Sequence, residues 1–310
     1  MKPPAFAYHR PATVPEALDV LAEVGHQGKV LAGGQSLVPL LNMRLAAPAH
    51  LVDVNWLAEL DEVAVDDQRV RVGAIARHAR VEHDRAAAEA VPLLAQAIVD
   101  IAHDTVRNRG TVVGSLVHAD PAAELPAVLV LLEGTMELAS AGGGRRRVAA
   151  ADFFLGPLES ALRPGELATS AFFPRPPAGG GTAWTELARR HGDYAICGAG
   201  ALVVLDQALR VASARAALIS VGPVPMAVEL TDAVAGQPHD AADWAAAGRL
   251  AAAAVDPDDD LHATAAYRRR LAGVLTARAA RAAAASAASS FAEGSGEPRR
   301  GAPVDRGEAG

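Results

Sequence analysis

The sequence predicts an α+β fold, and three observations carry that prediction. KVLAGGQSLVPLLNMRL, Lys29 to Leu45, joins a short apolar run to helix-like spacing through Gly33-Gly34-Gln35-Ser36. EVAVDDQRVRVGAIA alternates on both sides of Asp66-Asp67, as an antiparallel hairpin does. Beyond FPRPPAGGG, Phe173 to Gly181, the stretch AICGAGALVVLDQALRVASARAALISVG reads as successive antiparallel strands, and alanine-rich helices follow it.

The elements follow in chain order. TVPEALDVLAEVG has Thr13 and Glu16 at capping-box spacing, Pro15 in the first turn, an apolar face of Val14, Leu18 and Leu21, and Gly25 as a stop. A strand is expected over 29–32, then the glycine turn, a helix from Leu37 and a strand over 50–54. This opening has α/β character; the hairpin around Asp66-Asp67 does not. AVPLLAQAIVDIA reads as helix. TVRNRGTVVGSLVHADPAAELPAVLVLLEG, Thr105 to Gly134, combines a polar loop, a small-residue turn over Thr111-Val112-Val113-Gly114-Ser115, and a helix near 125–132. TMELASAGGGRRRVAA is a second hairpin with Gly142–Gly144 at its tip, followed there by the solvated run Arg145–Arg147. Proline and glycine crowd 173–181 as in a linker or a long exposed connection. Helices are expected over 241–255 and 263–285, with Arg268–Arg270 at the surface or in a subunit contact, and a small, polar tail over 286–310 reads as disordered.

Composition narrows the function. The 310 residues are 51% hydrophobic and 21% charged, ordinary for a folded soluble chain with room for two domains. A net charge of -7 argues against nucleic acid as the main partner. Cys197 is the single cysteine, which excludes an internal disulfide and a Cys-ligated iron–sulfur cluster within this chain. It fits a reducing cytoplasm, and it reads as a small buried residue in a strand. The N-terminus has no apolar signal core, and no apolar run is long enough to span a bilayer.

Glycines at the strand–helix seam let the backbone take positive φ and approach a ligand closely, and amides that open a helix lack intrahelical acceptors. Together they suit a phosphate. A Rossmann fingerprint is not the source: Gly198-Ala199-Gly200 begins one, but Val203 stands at the third glycine and a strand follows. No Walker sequence occurs. The turn at Thr111–Ser115 supplies a second small-residue site, and two such turns clasping one ligand from opposite sides suit a dinucleotide with an extended diphosphate. His103-Asp104 and His118-Ala119-Asp120 lack further ligands at a metal-site spacing. Ser36 and Ser115 have no nucleophile-elbow context, base or orienting group, so acyl transfer is disfavoured.

AGGQSLVPLLNMRLAAPAHLVDV, VRNRGTVVGSLVHADPAAELPA, FFLG at 153–156, RRHGDYA at 189–195 and GPVPM occur in order. With them the chain resembles the FAD-binding (medium) subunit of molybdenum-containing hydroxylases, the aerobic carbon monoxide dehydrogenase and xanthine dehydrogenase group, to about Ala285. The resemblance implies a vanillyl-alcohol-oxidase (PCMH)-type FAD fold over 1–176, with subdomains of about 1–56 and 57–176. A smaller C-terminal α+β domain over 182–285 would follow, and the tail has no family counterpart. By position, Ala32, Gly33, Gly34, Gln35 and Ser36 form one FAD diphosphate loop, and Thr111, Val112, Val113, Gly114 and Ser115 the other. Lys29 falls on the adenine side, Glu124 near the flavin and its ribityl chain, and Tyr194 close to the isoalloxazine. From the residues alone, Glu124 also reads as a first-turn helix acid and Tyr194 as packing between strands. Relatives usually have glycine where Val113 stands. A β-branched residue resists positive φ, so either this position stays extended or FAD is held less tightly.

The resemblance further implies an electron-transfer oxidoreductase subunit in the cytoplasm, with no catalytic acid/base pair and no metal of its own. An iron–sulfur small subunit with [2Fe-2S] clusters and a molybdopterin large subunit would complete a heterotrimer or its dimer. Asp120 would serve the loop rather than catalysis. A stand-alone FAD-dependent oxidase or reductase of the same fold, or a non-catalytic scaffold that has lost FAD, are the other readings.

Overall fold

The computed structural model describes residues 2–294. Its first sheet holds β1 (Ala7–His9), β2 (Gly28–Leu31) and β3 (His50–Asp53), all parallel in the order β1-β3-β2. Parallel neighbours need crossover connections, and the helices Val14–Val24 and Leu37–Asn42 occupy them. Thr13 caps the first helix by accepting from the Glu16 amide at 3.2 Å. The Glu16 carboxylate reaches back one residue further than a capping box requires, accepting from the Ala12 amide at 2.7 Å. Gly25 ends the helix at φ 51°.

The second sheet is antiparallel, in the order β4 (Val63–Val65), β5 (Arg69–Gly73), β10 (Glu166–Pro174), β6 (Thr135–Ser140) and β7 (Gly144–Ala149). Both hairpins read from the sequence are present, but β10, their shared central strand, lacked a signal. Its residues 167–173 are buried on both faces, which leaves no alternation to detect. Phe172 lies beneath Arg69 and Arg147, whose guanidinium carbons stand 4.9 and 4.5 Å from the ring centroid. Arg146 is engaged too, donating to Glu166 at 2.7 and 2.8 Å. Arg145 and Arg147 are exposed, as expected of a solvated run, while Arg146 is half-buried against its sheet. A short ribbon of β8 (Phe154–Gly156) and β9 (Glu159–Ser160) follows β7.

The third sheet is a consecutive antiparallel meander of β11 (Gly180–Leu187), β12 (Cys197–Leu205), β13 (Val211–Ile219) and β14 (Met226–Glu229). The proline-rich connection is shorter than the sequence suggested, because 173–174 belong to β10 and 180–181 to β11. One face of this sheet carries the helices Trp244–Ala254 and Ala265–Gly294; the other meets Pro92–Ile98 and Glu124–Leu131. Ala195, Leu202, Ala217 and Ile219 thereby join the hydrophobic core of the first half.

The last helix corrects the expected tail. It continues through 286–294 because Ala279, Ala280, Ala283, Ala284 and Ala287 form one fully buried stripe. Phe291 closes over Gly179, where an added β-carbon would stand 3.1 Å from the ring. The remainder of that expected tail, 295–310, lies outside the described residues. Arg268 is corrected as well. It is buried, and its guanidinium donates to the carbonyls of Ile196 and Ser220 at 2.7 and 2.9 Å and to Asp260 at 2.6 Å. No helix among the described residues is long and apolar enough to cross a membrane.

Candidate cofactor site

The first glycine turn leaves β2 and opens the helix Leu37–Asn42. Gly34 takes φ 73°, and Gln35 braces the turn from Nε2 to the Gly33 carbonyl at 3.3 Å. Ser36 stands at the N-cap without a side-chain hydrogen bond there. The first amide to find a main-chain acceptor is that of Val38, bonded to the Gly34 carbonyl at 2.9 Å. Among the described residues, the amides of Gly33, Gly34, Gln35, Ser36 and Leu37 have no acceptor within the chain. Free donors concentrated at a strand–helix seam suit an anion. Lys29 is exposed on β2, the strand that feeds this turn.

The second glycine site is not a loop. Thr111 is an N-cap, and Val112–His118 form a helix. The Thr111 hydroxyl accepts from the Gly114 amide at 3.1 Å, its carbonyl from the Ser115 amide at 3.0 Å, and Ala76 accepts from Val112 at 3.2 Å. The amides of Thr111 and Val113 are left without an acceptor within the described chain. Val113 is helical, not extended, and its side chain is buried in the core. An α-helical position needs no positive φ, so valine is accommodated where glycine was expected.

The two segments meet. A β-carbon on Gly33 would stand 2.3 Å from the Arg109 carbonyl oxygen and 2.8 Å from Gly110 Cα. Gly33 is glycine because another stretch of main chain occupies that space. Arg77, Asn55 and His78 surround the contact, and none was singled out from the sequence. Arg77 Nη1 donates to the Arg109 carbonyl at 2.7 Å and Nη2 to Asn55 Oδ1 at 2.6 Å; Asn55 Nδ2 donates to the Ala32 carbonyl at 2.8 Å. The buried His78 imidazole lies under Gly110, whose added β-carbon would be 2.9 Å from Nδ1. Burial pushes that imidazole down to about 4, so it is neutral at pH 7. The pattern RNRG gave no sign of these partners, because they come from the segments after β3 and after β5.

Glu124 and Tyr194 occupy a second station. Glu124 follows the helix Val112–His118, which is about 10 Å long at 1.5 Å per residue. Ala119 then turns left-handed at φ 53°, and the Asp120 carboxylate accepts from the Ala122 amide at 2.9 Å. The Ala119 carbonyl accepts from Leu158 at 3.0 Å and that of Pro121 from Ser220 at 2.9 Å, fixing this corner between the β8–β9 ribbon and the third sheet. A cavity of ≈ 910 Å³ opens there, lined by Asp120, Pro157, Arg189, Tyr194 and Arg268 among others. Tyr194 is 74% exposed, so it is not packed between strands. Its phenol titrates above the ordinary value, through desolvation and then the charges of Asp120 and Glu124.

Glu124 is in the first turn of its helix yet buried. Burial first, then the neighbouring Glu186, with Asp100 and Asp120 adding, pushes its carboxyl up to about 8. Burial and then Asp100 push Glu186, which accepts from Trp184 Nε1 at 3.3 Å, up to about 7. An acid that is protonated at neutral pH can donate a hydrogen bond to a polar ligand. Among the described residues, no group of three or more His, Cys, Asp or Glu is placed to hold a metal ion.

Comparison with known proteins adds an independent finding. A family model described as the FAD binding domain in molybdopterin dehydrogenase matches residues 4–176. A second, described as the CO dehydrogenase flavoprotein C-terminal domain, matches residues 182–283. The chain is 38% identical over 279 residues to the 6-hydroxypseudooxynicotine dehydrogenase complex subunit alpha of Paenarthrobacter nicotinovorans, covering 90% of this chain and 94% of that one. It is 35% identical over 281 residues to the carbon monoxide dehydrogenase medium chain of Afipia carboxidovorans, covering 90% and 96%. Among solved structures, quinoline 2-oxidoreductase from Pseudomonas putida 86 superposes with a TM-score of 0.87 at 38% identity, covering 93% of this chain and 99% of that one. Carbon monoxide dehydrogenase from Hydrogenophaga pseudoflava does so with a TM-score of 0.86 at 35% identity, covering 92% and 99%.

Proposed function

The chain belongs to the FAD-binding flavoprotein subunits of molybdopterin dehydrogenases, and from that premise we propose how its residues hold FAD. The diphosphate lies on the free amides of Gly33, Gly34, Gln35 and Ser36, with Ala32 leading into the turn. On the opposite side stands the helix start at Thr111-Val112-Val113-Gly114-Ser115. Lys29 faces the adenine side. Glu124 and Tyr194 stand at the flavin end, one helix further along, beside the cavity lined by Asp120. The observation that carries this reading is the contact of Gly33 with Arg109 and Gly110, which brings the free amides of one turn beside the start of the other.

FAD held here would supply both one-electron and two-electron redox chemistry, which suits a subunit placed between one-electron carriers and a two-electron acceptor. The chain's own contribution is to bind and orient. Main-chain donors would hydrogen-bond the diphosphate, and protonated Glu124 would offer its carboxyl as a donor at the ribityl end. No side-chain acid/base pair is assigned to catalysis, and Asp120 shapes the corner after Ala119. We assign the polypeptide as a PCMH-type FAD domain over 1–176, divided near residue 56, and a C-terminal α+β domain over 182–285.

The partners are an iron–sulfur small subunit carrying [2Fe-2S] clusters and a molybdopterin large subunit, in a heterotrimer or its dimer in the cytoplasm. Electrons come from the clusters and leave to an external acceptor. Co-purification tests the assembly: both partner chains and stoichiometric FAD should accompany this one. Turnover of a small substrate by this chain alone would favour a stand-alone oxidase, and a folded, colourless protein that takes up no FAD would favour a scaffold.

A further inference from the structure

One side chain holds both diphosphate-binding segments, and it belongs to neither. Arg77 bonds the Arg109 carbonyl through Nη1 at 2.7 Å and Asn55 Oδ1 through Nη2 at 2.6 Å. Asn55 continues the tie, its Nδ2 donating to the carbonyls of Ala32 and Leu31 at 2.8 and 3.3 Å. Asp53 fixes Asn55 in turn, accepting from its amide at 2.9 Å and from Nδ2 at 2.6 Å. The Arg77 main chain completes the grip on the other side, forming an antiparallel bridge with Thr111. The flanking bonds of that bridge are His78 amide to Gly110 carbonyl at 2.9 Å and Val112 amide to Ala76 carbonyl at 3.2 Å. An unbroken line therefore runs from Ala32 through Asn55 and Arg77 to Arg109 and Thr111.

Electrostatics separates this line from an ordinary structural brace. No carboxylate among the described residues forms an ion pair with Arg77; both its hydrogen bonds go to neutral oxygens. Burial first, then the like charge of Arg109, hold its pKa below the ordinary value, while Asp61 and Asp53 oppose them only through the field. Arg109 is itself exposed and has no ion pair among the described residues. The Arg77 guanidinium thus stands at the seam where the free amides of Gly33–Leu37 meet the start of the second segment. A guanidinium hydrogen-bonded only to neutral oxygens is further stabilised by an anion placed beside it.

We propose that Arg77, acting through Asn55, is a positioning residue that sets the gap between the two main-chain segments for a diphosphate. This rests on the assignment of those segments to the FAD diphosphate. Arginine suits the task because its planar fork reaches two acceptors at once; a lysine ammonium keeps the charge but not that geometry.

The test uses the assembled complex carrying Arg77→Lys, Asn55→Ser or both, stripped of flavin and titrated with FAD, ADP and AMP. FAD and ADP should each weaken by about tenfold in either single variant, the size of one lost charge-assisted hydrogen bond. The double variant should lose no more than the worse single, because both residues act on one connection. AMP, which has no diphosphate, should bind as in wild type, which separates a disturbed diphosphate gap from a general loss of stability. Wild-type FAD affinity in both singles, additive losses, or an equal loss for AMP would overturn the proposal. Should Arg77→Lys fail to assemble, Asn55→Ser alone decides. The parent assignment fails separately: it falls if Gly34→Val retains full FAD, whereas an empty Gly34→Val with unaffected Arg77→Lys removes only the positioning role.

Discussion

Gly33 and Arg109 are in main-chain contact so close that a β-carbon on the glycine would fall 2.3 Å from the arginine's carbonyl oxygen. The obstacle is backbone, which cannot swing aside as a flexible side chain can. Gly33→Ala should therefore separate the two segments. The expected result is loss of most FAD occupancy and about 1–3 kcal/mol of stability, the range for overpacking a filled site. The ratio of flavin to protein absorbance and a denaturant titration read the two effects.

Gly34 answers to a different constraint. It holds φ 73°, and its added β-carbon would meet only side-chain atoms, Val38 Cγ2 at 3.2 Å and Leu31 Cδ1 at 3.3 Å. Gly34→Ala should cost about 1 kcal/mol of backbone strain and weaken FAD modestly. Gly34→Val, with a β-branched residue at positive φ, should empty the site. Flavin occupancy that falls in the order wild type, Ala, Val distinguishes strain from collision, because at Gly33 alanine already suffices.

Val113→Gly introduces the residue that the family resemblance leads one to expect at this position. In this chain it should not tighten FAD. Val113 is helical and buried, so the change removes packed methyls and adds backbone freedom. A stability loss of about 2–3 kcal/mol with unchanged or weaker FAD affinity is expected. Calorimetry of the flavin-free complex and a FAD titration check both halves; tighter FAD would show that valine obstructs the diphosphate.

These contrasts also show what the residues disclosed and what they hid. Local signals were legible: Thr13, Pro15 and Gly25 bracket the first helix, and the hairpins flank Asp66-Asp67 and Gly142-Gly143. β10 was hidden because burial on both faces erases the period on which strand reading depends. The turn at Gly33–Ser36 was legible as a strand–helix seam, but Thr111–Ser115 looked like a second loop when it is a capped helix start. Thr111 at an N-cap spacing from Gly114 was the available sign. Arg77 and Asn55 carried no such sign, since their roles arise only when the segments after β3 and after β5 are brought to Arg109. Arg268 read as surface on an alanine-rich helix, whereas the carbonyls of Ile196 and Ser220 that bury it come from another layer.

The last helix yields a prediction about length. Ending the chain after Ala285 would remove Ala287 and Phe291, which close over the start of β11. A β-carbon on Gly181 would lie 2.2 Å from the Ala283 carbonyl and 2.3 Å from the Ala287 amide, so helix and strand backbones touch there. Phe291→Ala should cost about 1–3 kcal/mol, below the range for a fully enclosed phenylalanine because this ring is only half-buried. Truncation after Ala285 should cost more than Phe291→Ala. Urea unfolding of both variants against wild type gives the order.

Glu124 makes the stability of the protein depend on pH in a definite direction. Its carboxyl is pushed up to about 8 in the folded chain, by burial first and then Glu186, from an ordinary value of 4.5. Between those values the folded state holds a proton that the unfolded state has released. Stability is therefore full below about pH 4.5, falls as pH rises toward 8, and levels off above it. Glu186, pushed up to about 7, adds to the same fall over the lower part of that window. The slope for one such group approaches about 1.4 kcal/mol per pH unit, an upper bound because local opening admits water. Glu124→Gln keeps the shape, cannot ionise, and should flatten this part of the profile, so that the variant gains on wild type as pH rises from 6 to 8. Denaturant midpoints of the flavin-free complex across that range measure it. An unchanged slope in Glu124→Gln would mean that this carboxyl is ionised in the folded protein and reaches water or a cation at neutral pH.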